Sequence, residues 1–400
     1  MTRSLVLAAA LPLPAYSGGA LRTWQNVVAL THAGPVGVFG LRAEEPTSPP
    51  RAGIELWCSS SDPSLTDPTS LESLDWLRDP AAVPWDRYFS PGALAEVEFA
   101  IEQFGPDVVV LEELSLYRYI KPLSGRGWRM VLDVSSIESV LNRELASRSS
   151  RAAAVVRAAL ADRSDAIETA AFAAVDQVWV CSARDAEVVS RRRGPATSIA
   201  LVPNTIDVDA YRRDQPYRAQ PTLTYSAMFA YPPNEAAALF LALEVVPRLG
   251  KQVDDLRLVL VGRNPTRSML DVAAADPRVT VTGAVPRVQP YLAESGAVPV
   301  PLFDGSGTKL KVLEAFAAGV PVVSTGEGVD GLDVEAGTHF LPAEEAGEFV
   351  EVLTRLWSEP ATAAHLIEEA QSFVAQRYSW DVARRAVRDA LERLAPANAP

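Results

Sequence analysis

The stretch from Val298 to Thr325, VPVPLFDGSGTKLKVLEAFAAGVPVVST, limits what this chain can fold into more than any other. The apolar run Ala297 to Phe303 has the length and composition of a buried strand, and it stops at the turn residues Asp304, Gly305, Ser306 and Gly307. From Lys309 the apolar positions Leu310, Leu313, Phe316 and Ala317 recur at helical spacing until Gly319, and Pro321 to Ser324 supplies a second buried strand. The unit is strand, glycine-rich loop, helix, strand. Glycines at such a junction let the backbone approach a ligand, and the N–H groups of a helix start favour an anion, most often phosphate. Lys311 and Glu314 lie three apart and share the helix face beside that position. There a cation meets phosphate and a carboxylate meets sugar hydroxyls.

A chain of 400 residues exceeds one compact core, so two domains are expected. With 48% hydrophobic residues in alternating helical and strand patterns, it reads as an ordered α/β protein. The net charge of −13 speaks against a nucleic-acid partner and leaves anionic lipid only a local basic patch to meet. Arg143, Arg148, Arg151, Arg157 and Arg163 are candidates for such a patch, although acidic residues interleave with them and the plain alternative is a solvated helix face. Cys58 and Cys181 sit in separate strand-like runs without a CxxC or a nearby histidine, which points to a reducing, cytoplasmic setting. His32, His339 and His365 are scattered, and no metal motif forms. The N-terminal MTRSLVLAAALPLP mimics a signal peptide, but its apolar run is short and a glycine loop follows, so Ser4 to Leu11 is read as the first strand. No stretch reaches the roughly 18 apolar residues of a membrane span.

Along the chain, Gly18-Gly19 opens an amphipathic helix carrying Leu21, Trp24, Val27, Val28 and Leu30, so strand, glycine loop, helix occurs a second time. Strands follow at Pro35 to Leu41 and Gly53 to Cys58. A polar, proline-rich stretch from Ser59 to Pro91 then carries Trp76, Trp85, Tyr88 and Phe89, whose rings either stack on a ligand or pin the loop to the domain. Pro106 to Leu111 is a strand ending in Glu112-Glu113, and ligands of parallel α/β sheets lie beyond strand carboxyl ends. Met130 to Val134 is another strand, Glu144 to Ala174 a helix by propensity, and the polar Val208 to Pro221 a linker. GEGVDG at Gly326 to Gly331 fits GxGxxG after a strand, yet the residues behind it lack the helix a dinucleotide site requires.

The string GSGTKLKVLEAFAAGVPVVST resembles the donor site of GT-B glycosyltransferases, specifically the retaining family 4, also called group 1. The resemblance implies two Rossmann-like domains facing across a cleft: residues 1–207 on the acceptor side, completed by a crossover helix at about 379–400, and residues 208–378 binding the nucleotide sugar. It implies that Glu314 holds the donor ribose, that Gly305, Ser306, Gly307, Thr308, Lys309 and Lys311 receive its diphosphate, and that Arg263 is a further cation there. Gly283 and Val285 lie in the turn that meets the nucleobase, and Gly18 and Gly19 approach the donor from the first domain. Lys311, Glu113 and Asp133 are the candidates for catalytic roles.

Several positions depart from the family pattern. A sugar-contacting glutamate is Ser306, two histidines are Glu112 and Ser135, and Met228, Phe229 and Asn234 occupy a loop that commonly presents an arginine and a lysine. Glu138, Ser139, Asn204 and Asp207 match. The activity implied is metal-independent transfer, without a cofactor, from a nucleotide diphosphate sugar to a hydroxyl-bearing acceptor, with retention of configuration. A catalytically silent subunit of the same fold and a nucleotide-sugar 2-epimerase are the other readings.

Overall fold

The computed structural model describes residues 1–13, 18–42, 49–65, 74–147, 149–213, 215–304 and 309–394. Gly305, Ser306, Gly307, Thr308 and Arg148 therefore lie outside the described residues. The chain divides into two compact units, Met1–Asn204 with Asp381–Pro400, and Thr205–Trp380.

In the first unit seven strands form one parallel sheet: β1 (Ser4–Ala8), β2 (Val36–Gly40), β3 (Ile54–Ser59), β4 (Val108–Glu112), β5 (Arg129–Val134), β6 (Gln177–Val180) and β7 (Ser198–Leu201), in the order β3-β2-β1-β4-β5-β6-β7. Successive side chains of a strand point to opposite faces, so a sheet covered on both sides needs apolar residues throughout. β1 and β4 meet that demand: Leu5, Leu7, Val109 and Leu111 enter one core, Val6, Val108 and Val110 the other. The C-terminal helix Trp380–Arg393 belongs to this second core. It buries Ala383, Val387 and Ala390, spaced four and three apart, and the Ala390 carbonyl accepts from Gln177 Nε2 at 3.2 Å.

The second unit contains β8 (Thr222–Ser226), β9 (Arg257–Val261), β10 (Val279–Val281), β11 (Val298–Val300), β12 (Val322–Ser324) and β13 (Leu341–Pro342). They pair as β10-β9-β8 and β11-β12-β13, and a parallel bridge from Leu223 to Ala297 sets β8 beside β11. Counted from its own first strand, the first unit reads 3-2-1-4-5-6-7 and the second 3-2-1-4-5-6, the doubly wound order whose direction reverses between strands 1 and 4. The reversal falls between β1 and β4 in one unit, and between β8 and β11 in the other.

The Ser59 to Pro91 stretch is less irregular than its composition suggests. Single 3₁₀ turns form at Leu74–Arg78 and Pro84–Tyr88, and Trp76 is buried. Arg163 lies over the Trp76 ring at 4.7 Å and donates to the Trp76 and Ala82 carbonyls, while Trp85, Tyr88 and Phe89 pack on the core. The aromatics pin the segment. Of the basic-patch candidates, Arg163 is thus committed to structure, and Arg143 faces Asp162 and Asp165 at 3.6 and 3.5 Å. The expected helix from Glu144 is two helices, Glu138–Ser147 and Arg151–Ala174. Among the described residues, no helix is long and apolar enough to cross a membrane.

Candidate functional site

The switch point between β8 and β11 is where a doubly wound sheet opens to ligand, and the residues just beyond those strand ends define the site. β11 leads to the helix Leu310–Ala317, with Lys309 at its N-cap, and the helix stops where Gly319 takes φ +62°. That turn closes tightly. The Ala318 amide donates to the Glu314 carbonyl at 2.9 Å, and the Gly319 amide to that of Phe316 at 3.0 Å.

Glu314 is 9% exposed, and its Oε1 accepts from the Tyr211 hydroxyl at 2.7 Å. Burial raises the carboxyl above its ordinary range, and the bond from Tyr211, the charge of Lys311 and a bond from Ser226 oppose that rise. Tyr211 comes from the 3₁₀ turn Val208–Tyr211, whose start is capped by Asp207. Lys311 turns elsewhere. Its Nζ donates to Asn234 Oδ1 at 2.7 Å and to the Tyr225 hydroxyl at 2.9 Å, so no ion pair joins it to Glu314 among the described contacts. Burial, aided by the charge of Lys309, pushes the Lys311 ammonium down to about 7 against the pull of Glu314.

Lys309 is 6% exposed and sits 3.8 Å from Glu327 Oε1. Arg263 lies two residues beyond the end of β9, and its carbonyl accepts from the Phe229 amide at 3.1 Å. Gly283, just beyond β10, has φ +69° and open space where a Cβ would stand, while Val285 is half-buried in the same turn. Gly262, between β9 and Arg263, has a different reason to be glycine, since a Cβ there would come within 1.7 Å of the Ala227 carbonyl. In the GxGxxG string only a four-residue helix forms, Gly326–Val329. A Cβ on Gly328 would stand 2.5 Å from the Val300 carbonyl, so that glycine serves packing.

At the switch point of the first unit the helix Gly18–Thr31 starts, and a Cβ on Gly19 would meet nothing within 4 Å. Its own unit therefore gives no packing reason for glycine at that position. One turn on, Arg22 is buried and donates from Nε and Nη2 to the two Asp133 oxygens at 2.7 and 2.5 Å, and from Nη1 to Asn204 Oδ1 and the Val202 carbonyl. Burial alone would lower the Arg22 pKa, but the charge and hydrogen bonds of Asp133, with smaller pulls from Cys181 and Glu112, together outweigh it and raise the value. Glu112 accepts from Thr23 Oγ1 and Asn26 Nδ2, both at 3.2 Å, and is raised well above its usual range by burial and then by Asp133.

The Asp133 side chain has no exposed surface, and both its oxygens accept from Arg22. Glu113 differs. It is only half-buried, takes φ +77° and ψ 151°, a region that side chains other than glycine rarely enter, and is bonded by Ser135. Burial raises its pKa, and burial together with Glu113 raises that of nearby Glu138 to about 7. Among the described residues, no three His, Cys, Asp or Glu side chains cluster as metal ligands.

Reading the sequence left Arg22, Tyr211 and Tyr225 unremarked. The one trace of Arg22 was a polar set, Arg22, Thr23, Gln25 and Asn26, inside a helix with apolar neighbours; all four are buried.

Residues 220–359 match the family described as glycosyl transferases group 1. Over 160 residues the chain is 31% identical to a GDP-mannose-dependent alpha-(1-6)-phosphatidylinositol monomannoside mannosyltransferase of Mycobacterium tuberculosis; that match spans 34% of this chain and 40% of that protein. In three dimensions it is similar to sucrose-phosphate synthase from Thermosynechococcus elongatus, with a TM-score of 0.75 at 16% identity over 98% of this chain and 99% of that one. Anabaena HepE, solved in complex with UDP-glucose, gives 0.65 at 12% identity over 98% and 100%. Likeness at such identities shows the fold, GT-B, and residues 220–359 are similar to the group 1 glycosyl transferases.

Proposed function

We propose that this chain transfers a glycosyl unit from a nucleotide diphosphate sugar to a hydroxyl-bearing acceptor, with retention of configuration and without a metal. The observation that carries the reading is the pair on the helix Leu310–Ala317: at the switch point, Glu314 and Lys311 face separate polar partners instead of each other. A carboxylate bonded by hydroxyls and not paired with a cation suits the vicinal hydroxyls of a ribose, and an ammonium at a helix start suits a diphosphate. The similar proteins support the donor class, one being GDP-mannose-dependent and another solved in complex with UDP-glucose.

In this reading Lys311, helped by Lys309, stabilises charge on the departing diphosphate, where electrostatic contributions count most. Glu113, strained and half-buried beyond β4, serves the acceptor side, and strain held at a strand end is a recurrent mark of a working residue. The leaving phosphate itself takes the acceptor proton.

A thermal-shift panel of UDP, GDP, dTDP and ADP, followed by an assay for hydrolysis of the matching nucleotide sugars, tests the proposal. Ligand at a hundredfold its Kd adds about 2.7 kcal/mol of stability, a shift of several degrees for a unit of this size. A chain that none of the four nucleotides stabilises, and that hydrolyses none of the sugars, is a silent subunit.

A further inference from the structure

The loop after β8 lacks the cations expected there, and Asn234 stands where the charge is missing. Its amide is oriented by two bonds. Nδ2 donates to the Met228 carbonyl at 3.0 Å, which turns Oδ1 toward the helix Leu310–Ala317, where it accepts from Lys311 Nζ at 2.7 Å and from the Tyr225 hydroxyl at 3.1 Å. Tyr225 has no exposed surface, and its hydroxyl also accepts from Lys311 at 2.9 Å. A lysine side chain has four rotatable bonds and an ammonium that is strongly hydrated, so holding it in one place requires acceptors fixed by their own packing. Here β8 supplies one and the first turn of the helix Pro232–Phe240 the other. Both are neutral. A carboxylate in either place would cancel the charge that a diphosphate is to meet, whereas an amide oxygen and a phenol oxygen hold the ammonium and leave its charge for the ligand.

We infer that Asn234 and Tyr225 are positioning residues for donor binding, acting through Lys311: they aim its ammonium at the donor diphosphate and so replace, by orientation, the cations that this loop lacks. The inference rests on the donor-site reading above. Neither residue touches the ligand.

A double-mutant cycle separates this role from a merely structural one. The full chain and the variants Lys311→Ala, Asn234→Ala and Asn234→Ala with Lys311→Ala are titrated calorimetrically with GDP and with UDP, and the tighter of the two nucleotides is followed. Lys311→Ala weakens binding about ten- to a hundredfold. Asn234→Ala weakens it about three- to tenfold, and the double variant binds no more weakly than Lys311→Ala alone, because Asn234 has no lysine left to act through. In transfer assays the donor KM rises while the acceptor KM stays put. Additive losses in the cycle, or equal changes in both KM values, overturn the inference. If Lys311→Ala is costly and Asn234→Ala is not, the positioning role fails and the donor site stands; if Lys311→Ala is itself silent, the donor-site reading fails. Tyr225→Phe, which keeps the buried ring, provides the same cycle should Asn234→Ala fold poorly.

Discussion

The two units share one strand order and treat their switch points in opposite ways. Beside β4 in the first unit, Arg22 and Asp133 neutralise each other out of solvent, with Asn204, Val202, Thr23 and Asn26 taking up the remaining hydrogen bonds of the cluster. Beside β8 in the second, Lys311 is held by uncharged oxygens and Glu314 by a tyrosine hydroxyl. Topology brings polar groups to the same place in both. What differs is whether their charges are consumed inside the protein. A closed pair fixes an element in position, and a charge held by neutral partners retains the field a ligand can use.

The sharpest way to break the comparison is Asp133→Ala. It leaves a buried guanidinium without its counter-charge, and a loss of about 3–5 kcal/mol is expected in denaturant unfolding. Full stability with abolished transfer would point to a catalytic Asp133. Next in size is Glu314→Ala, which should cost roughly 1.5–3 kcal/mol of nucleoside diphosphate affinity by calorimetry, about ten- to a hundredfold, and much of the preference for a ribo- over a 2′-deoxyribonucleotide. Equal affinity of variant and parent would make Glu314 a structural residue.

A pH series sharpens the contrast further. With Lys311 held at about 7 in the free protein, its ammonium is fully present below that pH and lost above it. Nucleoside diphosphate affinity should therefore fall as pH rises from 7, by at most tenfold per unit, and Lys311→Ala should flatten the curve. Burial, then the charges of Lys309 and Glu314, set where the fall begins, and the Tyr225 ring lies against the same ammonium. Between pH 7 and the ordinary lysine value of 10.5 the unfolded chain binds the proton that the folded one has released, so this group alone makes stability rise with pH in that window. The smallest effect belongs to Glu113→Gly. Relief of strain of order 1–3 kcal/mol, less glycine's entropy cost of about 0.5–1, predicts a modest rise in Tm together with impaired transfer. A fall in Tm would show that the backbone there is not strained.

Residues within a few positions of one another decided β11, the helix Leu310–Ala317 and β12. Leu310, Leu313 and Phe316 had to form one helix face, Gly319 had to end it, and Lys311 and Glu314 had to lie on one side. The same local logic found the helix after Gly18-Gly19 and the carboxyl end of β4. Partners were decided only in the tertiary structure. Tyr211 is 103 residues from Glu314, Tyr225 is 86 from Lys311, and Arg22 is 111 from Asp133. No periodicity reaches across such distances. Strand order and register choose which side chains meet, so the sequence shows Asp133 only as an acid in a strand, and the fold sets the buried Arg22 against both its oxygens.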